Sequence, residues 1–112
     1  RDAFTGFLRA AHDDGRTVVG YGAAAKGNTL LNFAGVGPNL VSVVADRNPA
    51  KQGRFLPGSR IPVVGPEEIR RRRPDHVVIF PWNLRDEVES QLSEIREWGG
   101  TFVVAVPRLE TW

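Results

Sequence analysis

The residues with the clearest chemical potential follow a short apolar run at 17–21. The chain reads Gly20-Tyr21-Gly22-Ala23-Ala24-Ala25-Lys26-Gly27 there. Gly20 and Gly22 permit a tight turn and close approach of a ligand to the backbone, and Ala25 stands where a dinucleotide-binding turn carries its third glycine. A helix starting behind that turn aims unpaired N–H groups at a phosphate or carboxylate, and Lys26 adds a point charge. Asp46 closes the next apolar run, where an acid that reads a ribose would sit. Ala23, Asn28 and Asn83 lie in or beside turns where a backbone or side-chain amide can meet a ligand, and Trp82 could stack on a sugar or base. Each residue also has a structural reading. The glycines can serve close helix–sheet packing, Asp46 can cap the Asn48-Pro49 turn, Asn28 and Asn83 can cap helices, and Trp82 can fill space under a loop. The residues alone leave both readings open.

Other chemistries find less support. There is no cysteine, which excludes disulfides and thiol nucleophiles, and the two histidines are far apart. His12 and His76 stand in no pattern with a carboxylate and a nucleophile, so a hydrolase triad is not expected. No metal site is expected within the chain. Arg70–Arg73 form a basic run, which fits the last turn of a helix complementing its dipole better than a nucleic-acid patch. Formal net charge is only +2, and no nucleic-acid partner is expected. No apolar run reaches the ~18 residues of a membrane span, and no signal peptide opens the chain, so a cytoplasmic protein is the expectation. The 112 residues suit one domain spanning 1–112. Methionine is absent even at position 1, which points to an excised piece of a longer protein.

The elements that must position these residues can be read from periodicity. Phe4, Phe7, Leu8 and Ala11 mark a helical face over 2–14, and Gly15 stops it. Residues 17–21 form a strand, and a helix then carries Leu30, Leu31, Phe33 and Ala34 to Gly35. Residues 40–45 form a second strand and 61–64 a third, separated by an aperiodic loop over 47–60. Pro66 opens a helix with Glu67 and Glu68 in its first turn. Residues 77–80 form a fourth strand. Asn83 reads as the N-cap of one helix over 84–98, with Leu84, Val88, Leu92 and Ile95 on its apolar stripe. Residues 102–106 form a fifth strand, broken by Pro107.

Strands that are short, continuous and apolar are covered on both faces. Right-handed crossovers then give an α/β fold, a Rossmann-like doubly wound parallel sheet of about five strands in the order 3-2-1-4-5. In that order the direction reverses between strands 1 and 4. A ligand crevice is expected there, flanked by residues 22–28 and 81–84.

Four stretches together resemble a known family. They are Tyr21-Gly22-Ala23-Ala24-Ala25-Lys26-Gly27-Asn28-Thr29-Leu30-Leu31, Asp46-Arg47-Asn48-Pro49-Ala50-Lys51-Gln52-Gly53, Leu56-Pro57-Gly58 with Ile61-Pro62-Val63, and Pro81-Trp82-Asn83. In this order they resemble the C-terminal domain of S-adenosylmethionine-dependent C-methyltransferases acting on nucleotide-linked deoxysugars, enzymes of bacterial natural-product biosynthesis. The resemblance covers residues 17–107. It implies a parent with an N-terminal zinc-binding region, a central domain that binds S-adenosylmethionine, and this domain, with the catalytic base in the first two parts. The implied reaction is methylation of the carbon beside a keto group of the hexose. No catalytic residue and no cofactor is expected within this chain. Its implied partners are the nucleotide-linked sugar, expected as a dTDP-sugar, and the central domain.

Charge and position then assign the substrate to Gly22, Ala23, Lys26, Asn28, Asp46, Arg47, Lys51, Trp82 and Asn83, with Lys26, Arg47, Lys51 or Arg54 facing the diphosphate. Two other readings stay open. One is a regulatory module binding NAD through residues 20–25 and Asp46. The other is a purely structural domain packed on the catalytic one.

Overall fold

Apolar residues at helical and strand spacing set the architecture of the computed structural model, which describes residues 2–112. Helix α1 (Asp2–Asp13) buries Phe4, Leu8 and Ala11, one stripe of a face that also brings Phe7 against the core. Strand β1 (Val18–Tyr21) is buried throughout. Helix α2 (Ala25–Ala34) ends at Gly35, whose φ of 68° lets its N–H reach back to Asn32 O. Strands β2 (Val44–Ala45) and β3 (Val63–Val64) are short. Helix α3 (Glu67–Arg72), strand β4 (His76–Ile79), helix α4 (Arg85–Gln91) and strand β5 (Thr101–Val104) follow, and strand β6 (Glu110–Thr111) ends the chain.

The sheet order is β3-β2-β1-β4-β5-β6. The first five strands run parallel, as expected, and β6 adds an antiparallel edge that the sequence did not announce. Successive residues of each strand alternate between two apolar layers. Val18, Val78, Phe80 and Val103 face α1 and α2, while Val19, Tyr21, Val77, Ile79, Phe102 and Val104 face α3 and α4. The helices thus cover both faces of one sheet.

Several boundaries differ from expectation, each for a local reason. Residues 40 and 41 belong to a turn, because their N–H groups bond to Gly37 O at 3.0 and 3.1 Å. The second strand therefore meets β1 only from Ser42, whose N–H donates to Val18 O. The helix expected over 84–98 is broken at Leu92, whose φ of −110° is not helical, and residues 93–98 continue as a 3-10 turn. Asn83 is no N-cap. It lies inside a 3-10 turn, Trp82–Leu84, and Leu84 precedes α4 without a side-chain cap. The 47–60 loop folds back on the sheet. Val63 N–H donates to Arg54 O, Gly53 N–H to Val63 O and Leu56 N–H to Ile61 O, so the loop covers the outer edge of β3.

Candidate functional site

Gly22 leaves β1 with φ 94°, a conformation that disfavours any side chain, and a Cβ there would lie 2.7 Å from Pro81 Cδ. The turn after β1 therefore touches the turn after β4 directly. Gly20 and Gly27 are spent differently. Each would drive a Cβ into the Phe80 ring or its Cβ, so both glycines exist to let α2 and β1 close over that side chain.

The next peptide is gripped from both ends. Asp46 Oδ2 accepts from Ala23 N–H at 2.7 Å, and Lys51 Nζ donates to Ala23 O at 3.1 Å. The other Asp46 oxygen accepts from Asn48 N–H at 2.8 Å, and Gln52 Nε2 donates to Asp46 O at 2.8 Å. Arg54 Nε donates to Ala50 O at 3.0 Å. The 46–54 loop thus works as a clamp on the glycine turn. Helix α2 begins behind it without a side-chain cap and without an acid in its first turn.

The sequence-expected residues fall into separate groups. Lys26 Nζ lies 5.3 Å from the centroid of the Trp82 ring, a cation–π pair on the α2 side. The hollow beside that ring, bounded by Gly27, Leu30 and Phe80, holds about 10 Å³, room for no more than one water. Asn28 Oδ1 is buried without a hydrogen-bond donor among the described residues. Asn83 is exposed on its turn.

A crevice of about 260 Å³ opens on the other side of the junction, toward α4. Gly22 and Pro81 form its back, and Tyr21, 6% exposed, lies at its floor. Asp46 and Arg47 form one wall, and Leu84, Glu87, Val88 and Gln91 the facing one. Burial pushes the Tyr21 phenol above its ordinary 10, Arg47 pulls it down and Asp46 adds to the rise. The hydroxyl is therefore a protonated donor at neutral pH. The crevice occupies the expected switch point and brings together Gly22, Asp46 and Arg47. Ala23 and Lys51 stand behind it as parts of the clamp.

Leu84 ends the 81–84 turn expected to flank the crevice, while Tyr21, Glu87 and Gln91 were not expected there. Tyr21 carried one usable signal, as the last residue of the first strand.

Residues 1–107 match the model of the C-methyltransferase C-terminal domain. The chain belongs to this family. A C-methyltransferase of Streptomyces niveus, NovU, is 40% identical over 100 residues, which are 89% of this chain and 24% of NovU. The chain thus spans about a quarter of the length of that curated relative. The stretch matched to the C-methyltransferase C-terminal domain contains every candidate residue named above, while β6 and Trp112 lie beyond it.

A methyltransferase family implies S-adenosylmethionine in the whole enzyme. The residues of this C-methyltransferase C-terminal domain do not fit that group. Phe80 fills the space under the glycine turn, and the acid that would read a ribose is spent on two backbone N–H groups. Nor do three of His, Cys, Asp and Glu come together among the described residues to hold a metal ion.

Proposed function

We propose that the chain is the acceptor-holding domain of an S-adenosylmethionine-dependent sugar C-methyltransferase, one C-terminal Rossmann-like unit of a longer enzyme. The acceptor is a nucleotide-linked deoxyhexose, most simply a dTDP-sugar, methylated at the carbon next to its keto group. Methyl donor and zinc belong to other parts of the enzyme, and this domain contributes orientation. The observation that carries the reading is the family match over residues 1–107, joined to an open crevice at the switch point of the sheet. Fixing one end of a long substrate there would bring its reactive carbon to a fixed distance from the donor, the kind of positioning that lowers a barrier without any group doing chemistry. The clamp at Asp46 and Lys51 supports this, because it removes freedom from the turn that borders the crevice.

Two proteins and a labelled methyl donor test the reading. The full-length protein carrying this domain transfers label to a nucleotide-linked keto-deoxysugar. Residues 1–112 alone transfer none, yet bind the sugar nucleotide by calorimetry. Methyl transfer by the domain alone overturns the reading, as does binding of S-adenosylmethionine or NADH in place of the sugar nucleotide.

A further inference from the structure

Helix α4 supplies the facing wall of the crevice through Glu87, Val88 and Gln91, with Leu84 just ahead of it. Little in the helix itself fixes that wall. It is 7 residues long, it starts without a side-chain cap, and of its residues only Val88 is buried. A helix this short does not hold its place alone, so contacts from outside must do so. Arg85 and Glu89 stand one turn apart on the flank that does not line the crevice. Both are fastened to the C-terminal segment at the far edge of the sheet. Arg85 Nη1 donates to Glu110 Oε2 at 3.2 Å, and its guanidinium lies 3.9 Å from the centroid of the Trp112 ring. Arg96 makes the second fastening, donating to Trp112 O at 2.9 Å and to Glu89 Oε2 at 3.4 Å. Strand β6 and Trp112 lie past the stretch matched to the family, which ends at residue 107.

We infer that β6 and Trp112 strap α4 in place, and that Arg85 is thereby a positioning residue for the acceptor. The inference rests on the platform reading above and adds what sets the width of the crevice. Each fastening is modest by itself, since an exposed ion pair contributes little and a cation over an exposed ring not much more. Their placement gives them leverage. One buried residue fixes the distance of α4 from the sheet and leaves its tilt to contacts at the flanks. Arg85 and Glu89 supply those contacts, and both pull toward β6. A tilt in the absence of the strap changes the gap between α4 and the wall made by Asp46 and Arg47. Arg85 also stands next to Leu84 and the Trp82–Leu84 turn, so its fastening reaches the edge of the crevice directly. No residue of the strap lines the crevice itself. A wall held in this way grips the acceptor equally before and during methyl transfer, and its loosening appears in the acceptor KM alone.

Steady-state kinetics of the full-length protein with a dTDP-linked keto-deoxyhexose test the assignment, beside amide exchange over residues 84–88. Arg85→Met keeps the apolar stem and removes the charge. It raises the acceptor KM about three- to tenfold and leaves kcat and the KM for S-adenosylmethionine unchanged. Arg85→Lys recovers part of the loss. Trp112→Ala gives a comparable rise, and the double variant adds little to either, because both changes remove the same contact. Glu68→Gln weakens the fold at α3 instead and leaves the acceptor KM where it was. Amides of residues 84–88 exchange faster in Arg85→Met and in Trp112→Ala. An acceptor KM unmoved by Arg85→Met, or raised as much by Glu68→Gln, overturns the inference and leaves the platform reading standing. A wild-type protein that methylates no keto-deoxysugar overturns the platform reading and the role of Arg85 in it. Exchange at residues 84–88 that ignores both variants overturns the strap itself, whatever the substrate.

Discussion

A carboxylate that accepts two backbone N–H bonds is part of the scaffold. Asp46 holds Ala23 and Asn48 in that way, at 2.7 and 2.8 Å. Asp46→Asn replaces one acceptor with a donor that faces an N–H. Hydrogen bonds to charged groups contribute about 1.5–3 kcal/mol, so urea denaturation of this variant shows a loss in that range. A residue that only touched ligand would leave the midpoint unmoved. The glycines divide by the same test of surroundings. Gly6 has nothing within 4 Å of an added Cβ, whereas Gly27 would meet Phe80 Cβ and Cγ at 2.7 Å. Gly6→Ala therefore gains about 0.5–1 kcal/mol from reduced freedom of the unfolded chain. Gly27→Ala loses about 1–3 kcal/mol despite the better helix former, because overpacking outweighs propensity. Thermal melts of the two variants shift in opposite directions.

The sheet core was legible in the sequence because its strands are apolar on both faces. Val77, Val78, Ile79 and Phe80 could hardly be anything else. The broken helix was not legible. Its stripe runs Leu84, Val88, Leu92, Ile95, with a last step of three residues that fits an α-helix and a 3-10 turn equally well. Strand β6 was hidden for another reason, since two residues carry no period. What holds it is tertiary. Phe102 and Trp112 exchange backbone hydrogen bonds at 2.9 and 3.0 Å, their rings lie 5.8 Å apart, and the Arg85 guanidinium stacks 3.9 Å from the Trp112 centroid. Of the site, Asp46 and Arg47 could be found because they end a strand. Tyr21 could not be separated from ordinary core, and Glu87 could not be aimed without knowing where α4 starts. Trp112→Ala uncovers Phe102 and one edge of β5. It costs about 1–3 kcal/mol, less than loss of a fully buried aromatic, and speeds exchange of the Phe102 amide in a hydrogen-exchange measurement.

At the scale of the whole molecule, the densest run of charge is paired. The four consecutive arginines, expected to complement the dipole at a helix end, each have a partner. Arg71 forks onto Glu68, Arg72 reaches the same carboxylate, Arg70 donates to Glu94, and the Arg73 guanidinium lies 5.3 Å from the Trp98 ring. The hydrogen bond from Arg71 leads the causes that bring the Glu68 carboxyl down to about 2. At the amino end of β4, burial holds His76 below its ordinary 6.5, with Asp75 opposing and Arg16 adding, while Nδ1 lies 2.6 Å from Thr101 Oγ1. Both shifts act in the same direction with pH. A histidine with a depressed folded pKa leaves the unfolded chain binding more protons as pH falls through 6.5, so stability declines from there. Glu68 adds a second decline, beginning near its free value of 4.5 and complete only below about 2. Urea midpoints measured from pH 8 to pH 3 should fall in two stages. His76→Asn should flatten the upper stage and leave the lower one. Glu68→Gln should lower the plateau above pH 5, remove much of the lower stage and leave the upper one. A midpoint that rises on acidification below pH 6.5 would mean that folding favours the protonated ring, contrary to its burial beside Phe7.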